Sequence, residues 1–363
     1  MSIVFYGTAA LAMICLVVTF IPLIPRPWGI VRVFDFPRVQ IAYLSGASLL
    51  VLLTLFSWTP STLLFAAMAA VSLLLQAWKI ARFSPLWPKR SHSYTGEPAD
   101  APVFTLMASN VKQGNRDYSQ LKDLVREIDP DIAVFMETDE DWITELKDIT
   151  SDYEWSMERP YDNAYGMYLV SRHKLVDPEI KELLKERVPS FHMDVELGDG
   201  NTFRLITVHP EPPVPHAVTS GRDGEISLVG DIARDHGGAM IVAGDLNDVA
   251  WSRTTRRFLR ISRLLDPREG RGQFNSFHAG HFWARWPLDH IFHTPHFKLV
   301  TIERLPNIGS DHFPMLFKLA RTETDDPKRD TDEATSNDIA EADDRIERAE
   351  KGDKTPIGED WED

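Results

Sequence analysis

Residues 241–252 read IVAGDLNDVAWS, which combines the end of a buried strand with a polar edge. The apolar run 241–243 stops at Gly244, a pattern typical of a short buried strand. Asp245 and Asn247 follow two residues apart, so both are expected to point into the crevice beyond the strand. Asp245 can accept a proton or polarise a water, and Asn247 can contact an anion without repelling it. An ordinary Asx turn is the alternative explanation for the same residues. Matching polar groups elsewhere in the chain are needed to favour a functional site over that turn.

Polar residues follow other apolar runs in the same way. Strands are predicted over 103–108, 132–136, 166–170, 203–208, 240–243, 288–292 and 313–319, and helices over 118–128 and 225–233. This number of strands with few helices between them predicts an α/β sandwich, in which two packed sheets have helices outside. The polar residues at strand ends or in adjoining loops are Asn110, Glu137, His209, Asp245, Asn247, Asp289, Asp311 and His312.

These side chains suit phosphate chemistry. Oxygen ligands without thiolates favour a hard divalent cation such as Mg²⁺ or Mn²⁺, although His209 and His312 keep zinc open. The His312 imidazole can donate to a phosphate oxygen, and Asp289 is a candidate to orient it. Hydrolysis of a phosphate ester needs charge neutralisation, a directed water and donors for the oxygens. A structural role, such as loop formation by Asn110, is the alternative for each residue taken alone.

The first part of the chain is apolar enough to lie in a membrane. Largely uncharged runs over 3–24, 41–58 and 61–80 are each long enough to cross a hydrocarbon core of roughly 30 Å. Residues 1–82 are therefore expected to form three membrane spans, and two spans plus an interfacial helix is the alternative. A cleaved signal peptide is not expected, because a basic n-region is missing and two further apolar runs follow. Residues 83–101 read as a linker.

Basic residues lie on one side of the predicted spans. The amino terminus and the turn 59–60 carry none. Seven basic residues follow the first and third spans: Arg26, Arg32, Arg38, Lys79, Arg82, Lys89 and Arg90. The positive-inside rule therefore predicts that these segments, and the domain after them, are cytoplasmic.

Short motifs occur in a fixed order along residues 102–320. They are Ala108-Ser109-Asn110, Met136-Glu137, Thr207-Val208-His209, Gly244-Asp245-Leu246-Asn247, Leu288-Asp289-His290 and Gly309-Ser310-Asp311-His312. Together they resemble the motifs of the endonuclease/exonuclease/phosphatase superfamily. The resemblance implies a four-layered α/β sandwich over 102–320 and a site at one end of the sheets that cleaves phosphate esters with Mg²⁺ or Mn²⁺.

The resemblance also implies a metal site. Glu137 and Asp311 would bind the metal, with Asn110 near it. The sequence has Met136 where a glutamine commonly precedes the ligand in this superfamily. Metal binding is expected to survive this departure, because the Glu137 carboxylate is kept.

The remaining residues receive catalytic and phosphate-binding roles from the same resemblance. Asp245 would orient or deprotonate the attacking water. Asp289 would pair with His312, and His312 would contact the scissile phosphate. Asn247 would hold the phosphate, and His209 would be a further phosphate contact or an acid.

The membrane spans narrow the resemblance. Spans followed by residues 34–38 (FDFPR) and 114–118 (GNRDY) resemble bacterial membrane-anchored members of the superfamily, such as the teicoplanin-resistance type of membrane phosphatase. This resemblance implies the bacterial inner membrane, a substrate that is a lipid-linked phosphate, and a catalytic domain outside the cytoplasm. The last point conflicts with the count of basic residues, and we follow the count.

Two other functions are compatible with these motifs. A nuclease would use the same chemistry, but residues 101–320 contain 25 basic and 34 acidic residues, unlike a protein that tracks a nucleic-acid backbone. The other compatible function is that of a non-catalytic membrane module with a decayed site.

Arginines within 253–263 form either a face for an anionic substrate or a solvated helix face. Aromatic residues within 274–286 form a lipid-facing lip, a base-stacking surface or part of the core, and the two histidines there are expected to be bystanders.

The last residues, 321–363, are predicted to be a disordered acidic tail. They are poor in large apolar residues and carry a net charge of −10. A short helix over 339–349 is compatible with the pattern. A solvated spacer is favoured over a binding motif.

Overall fold

The computed structural model describes residues 2–97, 100–198, 200–324, 326 and 328–357. The helices are α1 (Ser2–Phe20), α2 (Gly29–Arg32), α3 (Arg38–Leu55), α4 (Pro60–Ile80), α5 (Tyr118–Ile128), α6 (Glu140–Thr150), α7 (Ser220–His236), α8 (Arg253–Ser262) and α9 (Ser336–Lys351). The strands are β1 (Val103–Asn110), β2 (Ile132–Met136), β3 (Trp155–Arg159), β4 (Met167–Ser171), β5 (Lys174–Glu182), β6 (Pro189–Glu196), β7 (Thr202–Val208), β8 (Met240–Asp245), β9 (Asp289–His293), β10 (Phe297–Arg304) and β11 (Met315–Arg321).

The strands form two mixed sheets that pack face to face. One sheet has the order β10-β11-β1-β2-β4-β3 and the other β5-β6-β7-β8-β9. Buried side chains of both sheets, among them Phe104 and Phe191, share one core. Helices α5 and α6 cover the outer face of the first sheet, with Trp142 packed there, and α7 and α8 cover the second with Phe258. The four-layered α/β sandwich expected from the sequence is confirmed.

Three amino-terminal helices are long and apolar enough to cross a membrane: Ser2–Leu23, Arg38–Leu55 and Pro60–Phe83. Polar side chains between them are hydrogen-bonded to one another. Gln76 donates to Thr19 over 2.9 Å, Thr19 and Ser72 hydroxyls lie 2.8 Å apart, and Arg38 donates to Gln76 over 3.0 Å. Such bonds hold helices together where the surroundings are apolar. The helices agree with the three runs predicted from hydropathy.

The segment between the first and second spans is fixed onto the sandwich. Its Gly29 N–H donates to the Ala217 carbonyl over 2.8 Å, and the Trp251 indole N–H donates to the Asp35 carbonyl over 2.8 Å. A Cβ added at Gly29 would lie 1.7 Å from the carbonyl oxygen of Val214, so this close approach requires glycine. The segment between the first two candidate spans is therefore built into the wall of the sandwich.

The acidic tail contains a helix that packs on this fold. Helix α9 begins with a capping box at Thr335 and extends beyond the predicted 339–349. Arg253 and Arg257 of α8 pair with Glu341, and Arg260 pairs with Asp338 over 2.5 Å. This part of the tail is thus not the solvated spacer that its composition favoured, because α8 supplies the opposite charge. Residues 358–363 lie outside the described residues.

Candidate active site

The polar residues predicted from the sequence meet at one end of the two sheets. Parallel strands β1 and β2 end at Asn110 and Met136, and Glu137 comes next. Strand β8 ends at Asp245, which lies opposite Asp289 at the start of antiparallel β9. The loop before β11 carries the last two residues of the set to the same edge. Strand direction and register therefore bring together groups that are far apart in the chain.

Asp245 is fully buried at the centre of this edge. Its Oδ2 accepts a hydrogen bond from Asn110 Nδ2 over 3.2 Å, and its Oδ1 accepts one from the backbone N–H of Asn247 over 2.8 Å. The Nε2 atoms of His312 and His209 lie 3.5 and 3.9 Å from Oδ2. Burial raises the pKa of Asp245. The carboxylate is thus a stronger base than an exposed aspartate.

His312 is held by a second carboxylate. Its Nδ1 lies 2.8 Å from Asp289 Oδ2, and the backbone N–H of Asp289 donates to Ser276 Oγ over 3.1 Å. Burial alone would lower the pKa of His312, but the negative charges of Asp289 and Asp245 raise this pKa to about 10. His312 is therefore a cation at neutral pH and can donate to an anionic oxygen.

Glu137 and Asp311 form a second carboxylate pair at the edge of a cavity. Glu137 Oε1 accepts from Asn110 Nδ2 over 2.6 Å, and Oε2 accepts from the Gln113 N–H over 3.1 Å. Its φ of +63° is uncommon for a residue with a side chain, so the turn after β2 is strained. Burial is the main cause that raises the pKa of Glu137 to about 7, and the negative charge of Asp311 is the second. Lys112 Nζ contacts Asp311 Oδ2 over 3.1 Å.

This donor set fits a hard divalent cation. Burial and the charge of Asp311 make it costly to ionise Glu137, so a cation between the two carboxylates would stabilise the charged pair. Oxygen ligands are those that Mg²⁺ and Mn²⁺ prefer. Among the described residues, Asp245, Asp289 and His312 also bring one ligand atom each within 4.8 Å of one another. The Nδ1 atom of His312 is already bonded to Asp289, so we read that group as an ion-paired imidazole.

Asn247 and His209 complete the polar end of the cavity. Asn247 has φ +50°, and its side-chain amide donates to the Pro210 carbonyl over 3.0 Å. Burial lowers the pKa of His209 to about 4, so its imidazole is neutral. Its Nδ1 has no partner among the described residues. A neutral imidazole with an unpaired nitrogen can form a hydrogen bond to a ligand but has no extra proton to give. The role of phosphate contact therefore fits His209 better than the role of acid.

The cavity has a volume of about 730 Å³ and two chemically different ends. Glu137, Asp311 and His312 line the polar end. Phe36 from the segment between the first and second spans and Trp283 line the apolar side. Catalytic candidates and Phe36, from the segment between the first two candidate spans, therefore line one cavity.

Several residues of the site were not predicted from the sequence. Lys112 and Gln113 follow the first motif after Val111, so the polar loop after β1 was a usable signal. Phe36, within the stretch 34–38, and Ile357 line the cavity from opposite ends of the chain, and neither was predicted to lie at the site. Their place depends on how the spans and the tail dock.

Comparison with known proteins identifies the group to which the chain is similar. Residues 107–312 match the Endonuclease/Exonuclease/phosphatase family. No curated protein sequence matches the chain.

Solved structures share the fold at low sequence identity. An endonuclease/exonuclease/phosphatase from Beutenbergia cavernae is 17% identical, covers 61% of this chain and 72% of its own, and has a TM-score of 0.50. A family protein from Bacteroides thetaiotaomicron is 19% identical, covers 61% and 99%, and has a TM-score of 0.50. The human Nocturnin catalytic domain, solved with a bound sulfate anion, is 15% identical, covers 61% and 96%, and has a TM-score of 0.50.

Proposed function

The chain belongs to the endonuclease/exonuclease/phosphatase family, and we propose that it is a membrane-anchored, divalent-metal-dependent hydrolase of phosphate esters or lipid (pyro)phosphates. One observation carries the proposal. The carboxylates of Glu137 and Asp311 and the His312 imidazolium line the same end of the cavity. Opposite charges arranged in this way can hold a metal ion and a phosphate together.

The metal site consists of Glu137 and Asp311, with Asn110 holding the Glu137 carboxylate in place. Mg²⁺ or Mn²⁺ is the expected ion, because the donors are oxygens. When bound, the cation neutralises charge on the phosphate oxygens.

The other residues bind the phosphate and move one proton. Asp245 accepts a proton from the attacking water, a role that its raised pKa favours. As the water oxygen bonds to phosphorus, the bond to the leaving group breaks. His312, kept protonated by Asp289, donates to a phosphate oxygen. The Asn247 amide and the neutral His209 are further contacts to phosphate.

The architecture around the site favours a membrane-associated substrate over nucleic acid. The segment between two candidate spans supplies part of the cavity wall through Phe36. The α8 arginines, a basic cluster that could have met a nucleic-acid backbone, instead pair with the tail helix: Arg253, Arg257 and Arg260. We therefore place lipid (pyro)phosphates ahead of nucleic-acid phosphodiesters.

The location that fits this function is the bacterial inner membrane, with the catalytic domain on the cytoplasmic side. Three helices can span the bilayer. The side is inferred from the seven basic residues that follow the first and third spans.

The test uses detergent-purified full-length protein. It is assayed with Mg²⁺ against a lipid pyrophosphate, a phosphodiester lipid and plasmid DNA, beside the Asp245→Asn variant. We expect turnover of a lipid phosphate and a loss of at least about 10²-fold in the variant, the scale of a positioned base. Rapid plasmid cleavage without lipid turnover would favour the nuclease. Equal activity of the variant would remove Asp245 from the mechanism.

A further inference from the structure

A row of aromatic rings connects Phe36, in the segment between the first and second spans, with the imidazole of His312. The rings of Phe36 and Trp286 meet edge to face with centroids 5.6 Å apart. Trp286 and Phe277 stack at 6.1 Å, and the Phe277 ring lies 4.9 Å from that of His312. An apolar wall therefore runs from the phosphate end of the cavity to residues that lie next to a span.

The wall is fixed in place by contacts from both sides. Phe36 packs with Phe83, at the end of the third span, and with Trp251 and Leu288 of the sandwich in one cluster. The Trp251 indole also bonds to the Asp35 carbonyl over 2.8 Å. The cavity mouth is consequently held beside the spans.

Two large aromatic residues project from this mouth. Phe282 is 84% exposed and Trp283 is 66% exposed, although Trp283 also lines the cavity. The Trp283 carbonyl accepts a hydrogen bond from Gln40 over 2.8 Å, and Gln40 lies in the first turn of α3, a candidate span. Exposed aromatic side chains at the end of a span match the belt that such residues form at a membrane–water interface.

Further apolar side chains are exposed near the amino terminus of α2. Trp28 and Ile30 are 51% and 49% exposed, and Trp28 pairs through its backbone with Val218, which is 57% exposed. Trp28 and Ile30 belong to the segment that contains Phe36, which lines the cavity, whereas Val218 belongs to the sandwich. Both the spans and the sandwich thus present apolar groups around the same mouth, and a bilayer is the partner that covers both.

We propose that residues 282–283 form a lip that enters the bilayer interface, and that the cavity receives a phosphorylated lipid directly from that bilayer. The phosphate lies at His312 and Glu137, and the hydrocarbon chain leaves past Phe36 and Trp283. A cavity of about 730 Å³ is within the roughly 300–1,000 Å³ of small-molecule sites. It holds the phosphate and the first part of a chain, while the rest stays in the membrane. The substrate part of this inference rests on the proposed hydrolase function.

The position of the lip is tested without any activity. Cys15 is the one cysteine of the sequence, so Phe282→Cys in a Cys15→Ser background accepts a single environment-sensitive fluorophore. The full-length protein is reconstituted in phosphatidylcholine–phosphatidylglycerol vesicles. We expect quenching by spin-labelled lipids and protection from aqueous iodide. Val300→Cys, on the exposed side of β10, is the matched control and should respond in the opposite way. If iodide quenches the label at position 282 as strongly as the label at position 300, the proposed lip is wrong.

The substrate class is tested with matched long-chain and short-chain phosphates. Dioleoyl and dibutyryl phosphatidic acid, and a long-chain and a five-carbon prenyl diphosphate, are offered to wild type, Phe282→Ser and Val300→Ser in the same vesicles. We expect Phe282→Ser to lower the ratio of long-chain to short-chain kcat/KM by about tenfold, the scale of one apolar side chain leaving an apolar phase. Val300→Ser should leave that ratio as in wild type.

The outcomes separate this inference from the proposed function. Equal turnover of long and short chains by wild type, or an equal loss of both in Phe282→Ser, overturns uptake from the bilayer while the hydrolase function stands. Absence of turnover for all four phosphates rejects the substrate assignment, and the fluorophore experiment then decides the lip alone.

Discussion

Arg222 donates a hydrogen bond from Nη1 to the backbone carbonyl oxygen of Asn247 over 2.9 Å. Arg222 is 1% exposed and also pairs with Asp223 over 2.8 Å. The other oxygen of Asp223 lies 3.8 Å from Arg32, in the segment between the first and second spans. A buried chain of charges therefore links the membrane-proximal segment to the residue that we expect to hold the phosphate.

Substitution of Arg222 tests this link. Arg222→Lys keeps the charge but loses the fork that reaches Asn247 and Asp223 together, so kcat should fall by about tenfold or more through misplacement of Asn247. Arg222→Met removes the nearest charged partner of the buried Asp223 carboxylate and should lower the free energy of unfolding by about 3–5 kcal/mol. Steady-state kinetics and denaturant unfolding measure the two effects.

The matched control is Arg234→Met on the same helix. Arg234 pairs with Asp231 at the surface over 2.6 Å, and such pairs contribute at most about 1 kcal/mol. Unchanged kcat in Arg222→Lys would show that Asn247 is positioned without the arginine.

Asp289→Asn should change the pH dependence of the reaction as well as its rate. The pKa of His312 is raised to about 10 by Asp289 and Asp245 against the effect of burial, so the imidazole stays protonated as pH rises until that value. Without the Asp289 charge this pKa falls, and the alkaline loss of activity should move to lower pH. The rate at neutral pH should fall by about 10²-fold, the scale of a lost acid–base contact.

A pH–rate profile of kcat/KM checks this change. Asp194→Asn, which removes a partly exposed partner of Arg204, is the control and should keep the wild-type profile. An alkaline limb at the same pH in Asp289→Asn would mean that another group titrates there.

Metal binding should weaken as pH falls through neutrality. The pKa of Glu137 is raised to about 7 by burial and by Asp311, so its carboxyl group is largely protonated below that pH and cannot bind a cation. We expect the apparent dissociation constant for Mn²⁺ to rise about tenfold for each unit of pH below 7, in the limit of one competing proton. Electron paramagnetic resonance of free Mn²⁺ measures it.

Two further results are required by this assignment. EDTA should abolish hydrolysis, and added Mg²⁺ or Mn²⁺ should restore it. Glu137→Gln should lose both the affinity and its pH dependence. Tight Mn²⁺ binding by that variant would place the metal elsewhere.

The central strands and the polar site could be predicted because their signals are local. Strand β2 spans the same five residues in the structure as in the apolar run, since both of its faces are buried. Glu137 directly follows such a run and Asp245 follows one after Gly244, and parallel or opposed strands bring their ends together. Strand β3 was missed because it lies at a sheet edge with Glu158 and Arg159 exposed, which removes the apolar signal.

Long-range docking could not be predicted in the same way. Phe36 and Ile357 line one cavity although the sequence separates them by most of its length. The α8 arginines were expected to face either solvent or an anionic substrate. Arg253 and Arg257 pair instead with Glu341, more than eighty residues away, and charge composition does not specify which acid meets which base.

The catalytic domain should lie on the cytoplasmic side of the membrane. A green fluorescent reporter fused after the last residue should fluoresce in bacterial cells, and an alkaline phosphatase fused there should be inactive, because seven basic residues flank the spans on that side. The same reporters placed at Thr59, in the turn between α3 and α4, are the control and should give the reverse pattern. Active phosphatase at the carboxyl terminus would place the site outside the cytoplasm, as the resemblance to membrane-anchored relatives implies.

The tail helix should stabilise the catalytic fold through its charges. Glu341 pairs with Arg253 and with Arg257, which is 3% exposed, so Glu341→Gln leaves a buried guanidinium without its anion. We expect a loss of about 1–3 kcal/mol in the free energy of unfolding, the range for a buried polar group without its partner. High salt should reduce the difference between wild type and variant, because part of the interaction is screened.

Glu347→Gln provides the matched control on the same helix. Glu347 pairs with Lys351, and both side chains are well exposed, so this substitution should change stability little. The tail continues from α9 to Ile357, whose N–H donates to Glu211 over 2.9 Å and whose side chain lines the cavity. Loosening α9 should therefore make residues 336–357 more sensitive to protease in Glu341→Gln than in Glu347→Gln. Equal cleavage of the two variants would show that the arginine pairs do not hold the tail in place.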